Sequence, residues 1–484
     1  MAAPTGRELA AIAAIVLLGA LGLWLATRGS YFYADDYLDR VTARIPNFGL
    51  DYLKQPYFDH FSPGRRVLDK VVLARDTLSW PLAQAVLICA YAGAVAAYWL
   101  FARQVMSVRA ALVTSGMVAA GVVFVRIAQW WAAGAQQIPY LTLSLVFLAA
   151  AAHWCRTRRA WALAVAVLSF AGALAFYEKA VLLGLVFAAV WYIAVPASAP
   201  RPRELLLRVR SDLALWIPVV GLLVAFTVII KTGPYLTSGN RGSLEQWNQY
   251  LRVVWNRGTT PMILGQSIPY VTDTLEEAYV WVSQLLLLGI GLVTCLTRRR
   301  ALRVWLVYLG LWIAFVALIG SGRLGTLGPG IGYDPRYNVE FVYLLPLALG
   351  LACSGPVRDS RLLARIPRLP GRALPALGVL LAVLFLLSAA DGHRDVADAW
   401  PAGQAHSYLN RLSADVARLR ARGLDPVFAA DAPAPGALNP GQLSPVNTLP
   451  ALLSAVDARL VKQSAGRRPV LVVVDDQGRV TIAR

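Results

Sequence analysis

Two adjacent aspartates, Asp35 and Asp36, follow the first long apolar segment of the chain after fewer than ten residues. A carboxylate can act as a general base, because it can take the proton of a hydroxyl group whose oxygen attacks a substrate. The same stretch carries His60, Arg65 and Arg66. A guanidinium group can hold a phosphate through two parallel hydrogen bonds. His60 has two interpretations. It contacts a phosphate or the acceptor molecule that carries the hydroxyl group, or it is an ordinary surface histidine.

Other ionisable residues stand at the edges of later apolar segments. Glu178 and Lys179 separate two apolar segments with almost no loop between them. Ionisable groups this close to hydrocarbon are costly and indicate function, although a simple hairpin tip is the alternative. The glycine-rich segment 321–338 adds four candidate substrate-binding residues: Arg323, Asp334, Arg336 and Tyr337. Arg336 has two interpretations, a phosphate-binding group or the partner of Asp334 in a structural ion pair.

The composition identifies the class of protein. The chain has 484 residues, of which 57% are hydrophobic and 15% are charged, whereas a soluble domain carries about 25% charged residues. Repeated apolar segments of about 20 residues predict an all-α polytopic membrane protein. The net charge of +19 could indicate a nucleic-acid partner. The arginines stand in short clusters between apolar segments, however, so no nucleic-acid partner is predicted.

The positions of these clusters predict the topology. About 11 membrane-spanning helices are expected, at 8–27, 80–102, 110–126, 138–154, 160–177, 180–196, 213–231, 279–297, 304–320, 339–354 and 373–390. The connection after every second segment is rich in arginine, up to the connection 358–372. The positive-inside rule therefore places the N-terminus in the cytoplasm and the C-terminus outside, in a plasma or inner membrane.

Two parts of the chain are predicted to lie outside the membrane core. The first outer loop, 28–79, would hold interfacial helices, one of them beginning with Ser62 as N-cap and Pro63 at its first position. The chain thus divides into a transmembrane domain, 1–390, and a small α/β extracytoplasmic C-terminal region, 391–484. In that region, helical periodicity over 397–422 precedes a Pro- and Gly-rich linker and a terminal β-hairpin.

Cysteine and histidine give little indication of a metal site or a disulfide. The four cysteines all fall in predicted spans or at predicted cytoplasmic ends, where small apolar packing residues are the simplest interpretation. The four histidines do not have the paired spacing that zinc ligands show, which argues against a zinc hydrolase.

The chain resembles the GT-C class of integral-membrane glycosyltransferases over residues 8–390. The resemblance rests on the Asp-Asp pair in a long first outer loop, on many spans, and on the Arg-Tyr of Arg336 and Tyr337 followed by Leu-Pro in a late span. The stretch DDYLDR…HFSPGRR is also similar to polytopic membrane proteins of actinobacteria. The C-terminal region has no counterpart in this resemblance.

The resemblance implies transfer of a sugar from a polyprenyl-phosphate donor to an envelope glycan, lipid or protein acceptor on the outer face, with inversion. It implies Asp36, in preference to Asp35, as the general base. Arg65, Arg66 and Arg336 would hold the lipid phosphate. A divalent cation is left open, because some members of the class use one and others do not. The alternative is a transporter or scaffold for lipid-linked precursors without catalysis; transporters often contain internal repeats, and this sequence has no clear repeat.

Overall fold

The computed structural model describes residues 3–56, 60–196, 202–235, 242–266, 274–358, 373–400, 402–433, 435–438, 443–464 and 466–483. In these ranges the chain is mostly helical. The α-helices of the first half are α1 Gly6–Thr27, α2 Asp36–Ala43, α3 Leu50–Leu53, α4 Pro63–Leu73, α5 Trp80–Val105, α6 Val108–Ala119, α7 Val123–Ala128, α8 Trp131–Thr157, α9 Ala160–Phe176 and α10 Leu183–Ala188. Those of the second half are α11 Pro202–Ser211, α12 Leu213–Thr232, α13 Leu244–Val253, α14 Thr274–Thr297, α15 Ala301–Leu327, α16 Phe341–Cys353, α17 Ala373–Asp398, α18 Ala402–Ala421 and α19 Leu449–Val456.

Six helices in the described part of the chain are long and apolar enough to cross a membrane. They are α1, α5, α8, α12, the Glu277–Thr297 part of α14, and α15. The multi-pass membrane character is therefore confirmed, whereas a total of 11 spans stays a prediction. The orientation of the termini and the type of membrane stay predictions too. The arginine-rich connection 358–372 lies outside the described residues apart from Arg358.

Of the other predicted spans, 373–390 lies within the long helix α17, and the rest coincide with shorter or irregular helices. The predicted span 110–126 is divided into α6 and α7 by a break at Gly121, where a Cβ would lie 2.5 Å from Val342. The predicted span 180–196 is a succession of a 3₁₀ turn, Glu178–Leu182, the short α10, and a π-helical segment, Ala189–Ala194. Apolar periodicity does not predict such changes of winding, because all three kinds of helix bury similar residues.

Helix α8 is the centre of the bundle. Its residues are mostly buried, and it packs along α5 on one side and α9 on the other. Helix α1, by contrast, exposes most of its apolar surface, as expected of a helix that contacts lipid. The first loop lies at the N-terminal end of α8, where Asp36 accepts the backbone N–H of Ala132 and Ser62 accepts a hydrogen bond from Gln136.

The first loop is helical as predicted, but its charged residues point inward. Helix α4 begins at Pro63, yet the Ser62 side chain makes no capping hydrogen bond; its hydroxyl accepts one from Gln136 at 3.1 Å. Val67 and Val71 are 39% and 52% exposed. This pattern suits an interfacial helix whose apolar face meets lipid while its polar face packs on the protein.

The C-terminal region contains a three-stranded sheet with strand order β1-β2-β3, formed by β1 Leu424–Phe428, β2 Arg468–Val474 and β3 Val480–Ile482. The predicted terminal hairpin is confirmed as the antiparallel pair β2 and β3. Its turn is closed by Asp475, whose carboxylate accepts the backbone N–H of Gln477 and Arg479, and by Gly478 at φ +82°. Strand β1 lay in no predicted element, and it pairs with β2 in parallel.

The C-terminal region packs against the first loop. Leu438, in the segment that the sequence predicted to be a linker, accepts a hydrogen bond at 3.1 Å from the backbone N–H of Ala34. The ring of His406 stacks on Tyr31 with 4.9 Å between centroids, and α19 contacts α2. The residue next to Ala34 is Asp35, so the C-terminal region supports the backbone that carries the aspartate pair.

Candidate functional site

A partly open cavity of about 140 Å³ lies where the first loop meets the N-terminal end of α8 and the connection between α15 and α16. Five residues that line it were predicted as site residues: Asp35, His60, Arg323, Arg336 and Tyr337. The others are Ala132, Ala133, Gln136, Gln137 and Tyr177. Segments that lie about 300 residues apart in the sequence thus place a carboxylate, two guanidinium groups and an imidazole around one cavity.

The two adjacent aspartates have different surroundings. Asp35 lines the cavity, whereas Asp36 is fully buried beside it and is not among the lining residues. The Asp36 carboxylate accepts the backbone N–H of Tyr33 at 2.9 Å and that of Ala132 at 2.7 Å. Burial raises the pKa of Asp36, and the neighbouring charge of Asp35 raises it further, against these two hydrogen bonds. Asp36 therefore ties the first loop to the first turn of α8, and Asp35 is the carboxylate that a substrate can reach.

Arg336 is held in place by a carboxylate and an aromatic ring. Asp334 accepts hydrogen bonds from its Nε at 2.7 Å, from one terminal nitrogen at 2.6 Å, and from its backbone N–H at 3.0 Å. The guanidinium group lies 4.3 Å from the ring centroid of Trp130. Burial lowers the pKa of Arg336, but Asp334 and, to a smaller extent, Asp35 raise it above its ordinary value. The structure thus contains the Arg336–Asp334 ion pair and also places this guanidinium group in the cavity.

His60 connects two of the other predicted residues. Its Nδ1 lies 2.5 Å from the carboxylate of Glu178, and its Nε2 lies 2.7 Å from a terminal nitrogen of Arg323. Because Arg323 can only donate, Nε2 is the acceptor and Nδ1 carries the proton that Glu178 accepts. Glu178 therefore fixes the tautomer of His60, and the chain of three groups brings the Arg323 cation to the cavity wall.

We expect the contribution of Glu178 to stability to depend on pH. Burial raises the pKa of Glu178, but His60 and Arg323 lower it by more, so that it lies below the ordinary 4.5. An acidic group whose pKa is lower in the folded than in the unfolded state stabilises the fold fully when the pH is above its pKa in the unfolded state. It loses this effect as the pH falls through its pKa in the folded state. Wild type should therefore exceed Glu178→Gln in thermal stability at pH 7, and the difference should shrink below about pH 4.5. A difference that stays constant would contradict an ionised Glu178 carboxylate. Glu245→Gln, a change of an exposed glutamate outside the site, is the control.

Lys179 lies behind the site rather than in it. Its ammonium group is buried, pairs with Glu340 at 3.0 Å, and donates to the backbone carbonyls of Arg336 at 3.3 Å and Tyr337 at 3.1 Å. Burial lowers the pKa of Lys179, and Glu340 opposes this shift. Lys179 therefore holds the turn that presents Arg336 and Tyr337 to the cavity, which makes it a positioning residue.

Arg65 and Arg66 do not line the cavity. Arg65 is buried and pairs with Asp39 and, at 3.6 Å, with Asp69. Arg66 lies 3.4 Å from Asp39 and donates to the carbonyl of Pro56 at 2.8 Å. These contacts use the two guanidinium groups to hold α4 against α2, so the geometry favours a structural role over the expected hold on a phosphate.

The sequence did not identify Gln136, Gln137 or Tyr177 as site residues. Both glutamines are nearly fully buried on the first turns of α8, and the side-chain oxygen of Gln137 has no hydrogen-bond partner among the residues that the structure describes. The sequence did contain a signal for the glutamines, which is two adjacent amides at the start of an otherwise apolar helix. A buried amide normally requires a hydrogen-bond partner, so such a pair indicates a polar site. Trp131, at the start of the same helix, is fully buried and donates to Asp69 at 2.8 Å.

Within the described ranges, no three side chains of His, Cys, Asp or Glu gather closely enough to hold a metal ion. The chain matches no protein-family model, and a search of curated proteins found no significant similarity. The function is therefore argued from the site itself.

Proposed function

We propose that this protein is a membrane glycosyltransferase of the GT-C type that transfers a sugar from a polyprenyl-phosphate donor. The observation that carries the proposal is the convergence of Asp35, Arg323 and Arg336 on one cavity. A carboxylate can serve as base for an acceptor hydroxyl, and the two cations can hold the charge of a lipid phosphate. The proposal includes 11 spans, a cytoplasmic N-terminus and an outer-facing cavity.

The proposed reaction is a single inverting displacement. The acceptor hydroxyl oxygen forms a bond to the anomeric carbon of the sugar while the bond from that carbon to the phosphate oxygen breaks. The electron pair of the broken bond leaves with the polyprenyl phosphate, and the hydroxyl proton passes to the carboxylate of Asp35. Negative charge on the departing phosphate is stabilised by Arg336 and Arg323, which stand at the cavity before the reaction begins.

The geometry of Arg336 suits this role. Asp334 uses Nε and one terminal nitrogen of the guanidinium group, and the other terminal nitrogen has no hydrogen-bond partner among the described residues. Stacking on Trp130 limits the rotation of the group. A phosphate that enters the cavity thus meets an oriented donor and need not order a flexible side chain, which lowers the entropic cost of binding.

The acceptor class is an envelope glycan, lipid or protein. A hydroxyl group of any of these can reach the base only if it enters the cavity that Asp35, Gln136 and Gln137 line. The two amides can donate and accept hydrogen bonds with sugar hydroxyls. No specific contact favours the alternative, a non-catalytic transporter or scaffold. The following test distinguishes it from a transferase.

The test is sugar transfer in membranes that contain the protein, compared with membranes from the same cells without it. A panel of radiolabelled polyprenyl-phosphate sugars is offered, and label is followed from the lipid into the aqueous or envelope fraction. The proposal predicts that label is transferred from at least one donor, and only in the membranes that contain the protein. If every donor stays intact but is bound or moved across the membrane, the hypothesis of a transporter replaces the proposal.

A further inference from the structure

A second cavity, of about 420 Å³, lies at the opposite end of the bundle from the candidate site. Helix α8 connects the two: Gln137 lines the first cavity, and Arg156 lines the second. At 1.5 Å per residue the two positions are about 28 Å apart along the helix axis, close to the thickness of the hydrocarbon core of a bilayer. The second cavity therefore lies at the other membrane surface, which the positive-inside rule predicts to be the cytoplasmic one.

The second cavity is strongly basic. Arg156, Arg158 and Arg208 line it, against a single carboxylate, Asp212. Arg158 pairs with Asp212 at 2.6 Å, and the hydroxyl group of Tyr192 also donates to Asp212 at 2.6 Å. Arg208 is exposed and forms no ion pair within the described residues. Because a single carboxylate lines the cavity together with three guanidinium groups, the described lining residues carry a net positive charge.

The side chains that form the cavity are positioned by irregular backbone. Arg158 ends α8 in the left-handed conformation, at φ +57°, which costs energy for a residue other than glycine. Its guanidinium group lies 4.4 Å from the ring centroid of Trp154, and that of Arg156 lies 5.4 Å from Trp191. The π-helical segment Ala189–Ala194 carries Trp191 and Tyr192 to the cavity wall. Several contacts therefore hold Arg156 and Arg158 in a fixed arrangement. π-Helical turns are frequent at functional sites.

Helix α11 adds an independent indication of a lipid surface. It carries Arg208 between two further arginines, Arg203 and Arg210, and none of its residues is buried. Leu206 and Leu207 are 67% and 55% exposed. A short basic helix with unburied leucines is typical of a segment that lies in the headgroup region, with its leucines toward the acyl chains.

We propose that this cavity binds the phosphate of an anionic phospholipid headgroup. The chemistry is that of an Arg-phosphate contact, in which planar guanidinium groups donate pairs of hydrogen bonds to phosphate oxygens. Basic pockets between helices at the cytoplasmic surface are suited to such headgroups, since the leaflet there is anionic. A free phosphate offers the same oxygens, but the exposed leucines of α11 favour a ligand that continues into the bilayer. The site is independent of the proposed transfer reaction.

The test titrates the full-length protein in an uncharged detergent with phosphatidylglycerol or phosphatidylcholine and counts bound lipid by native mass spectrometry. Arg208→Gln changes an exposed helical residue, and Arg158→Asn places a residue that tolerates the left-handed conformation at position 158. Each should weaken binding of phosphatidylglycerol about fivefold, and the double variant about 25-fold. Arg109→Gln, an exposed arginine at the same end of the bundle but outside the cavity, is the matched control and should change nothing.

Stronger binding of phosphatidylglycerol than of phosphatidylcholine, lost in the double variant, would support the proposal. Equal binding by wild type and the double variant would overturn it. Release of the bound lipid by millimolar inorganic phosphate would also overturn it, since the cavity would then be a site for free phosphate. Arg208→Gln keeps the test decisive if Arg158→Asn fails to fold.

Discussion

Asp35→Asn is expected to lower sugar transfer by about 100- to 10,000-fold, the range that a general base contributes. The substitution keeps the shape of the side chain and removes its ability to take a proton. Because Asp35 lines the cavity, the effect should fall on the rate of transfer, and the thermal stability should change little. Both quantities are measured on purified protein, transfer by radiolabelled donor and stability by the temperature at which the protein loses its monodisperse state.

The neighbouring Asp36→Asn is the matched control, with a different expected result. Asp36 accepts two backbone hydrogen bonds on its two oxygens, at 2.9 Å and 2.7 Å. An asparagine amide can accept on one side only, so one buried N–H loses its acceptor, at a cost of about 1–3 kcal/mol. The expected result is reduced stability with partial activity. A folded but inactive Asp36→Asn beside an active Asp35→Asn would assign the base to Asp36, as the sequence first suggested.

Arg65→Met is expected to lower the free energy of unfolding by about 3–5 kcal/mol. Arg65 and Arg66 together neutralise Asp39 and Asp69, and all four side chains are buried. Removing one cation leaves a buried carboxylate without its counter-charge. A carboxyl group in that position binds a proton more readily in the folded than in the unfolded state, so the loss should be larger at pH 8 than at pH 5.

The control for this change is Arg75→Met, an exposed arginine just after the same helix. It should alter the free energy of unfolding by no more than about 0.5 kcal/mol. The experiment also separates two roles for Arg65. If Arg65→Met folds normally but no longer binds a polyprenyl-phosphate donor, Arg65 contacts the donor and the structural interpretation is wrong.

The sequence predicted those features that depend on local pattern. Apolar segments predicted the helices of the bundle, Pro63 predicted the start of α4, and the Asp475 turn predicted the terminal hairpin. These features arise from residues within a few positions of one another, and composition and periodicity report on such contacts directly.

The features that the sequence did not predict depend on contacts between distant segments. The different positions of Asp35, at the cavity, and Asp36, buried beside it, depend on α8, almost 100 residues away. The first turn of α8 supplies a backbone N–H that Asp36 accepts. The inward turn of Arg65 depends on Asp39 in another helix. The parallel pairing of β1 with β2 joins residues more than 40 positions apart. No local pattern encodes these partners.

The central claim is that the cavity lined by Asp35 separates a sugar from its lipid phosphate. The most direct measurement is a single turnover by purified protein in lipid vesicles, with donor labelled by one isotope in the sugar and another in the polyprenyl chain. The account predicts that wild type separates the two labels, while Asp35→Asn binds the donor and leaves the labels together. Labels that stay together in wild type, or that separate equally fast in Asp35→Asn, would contradict it.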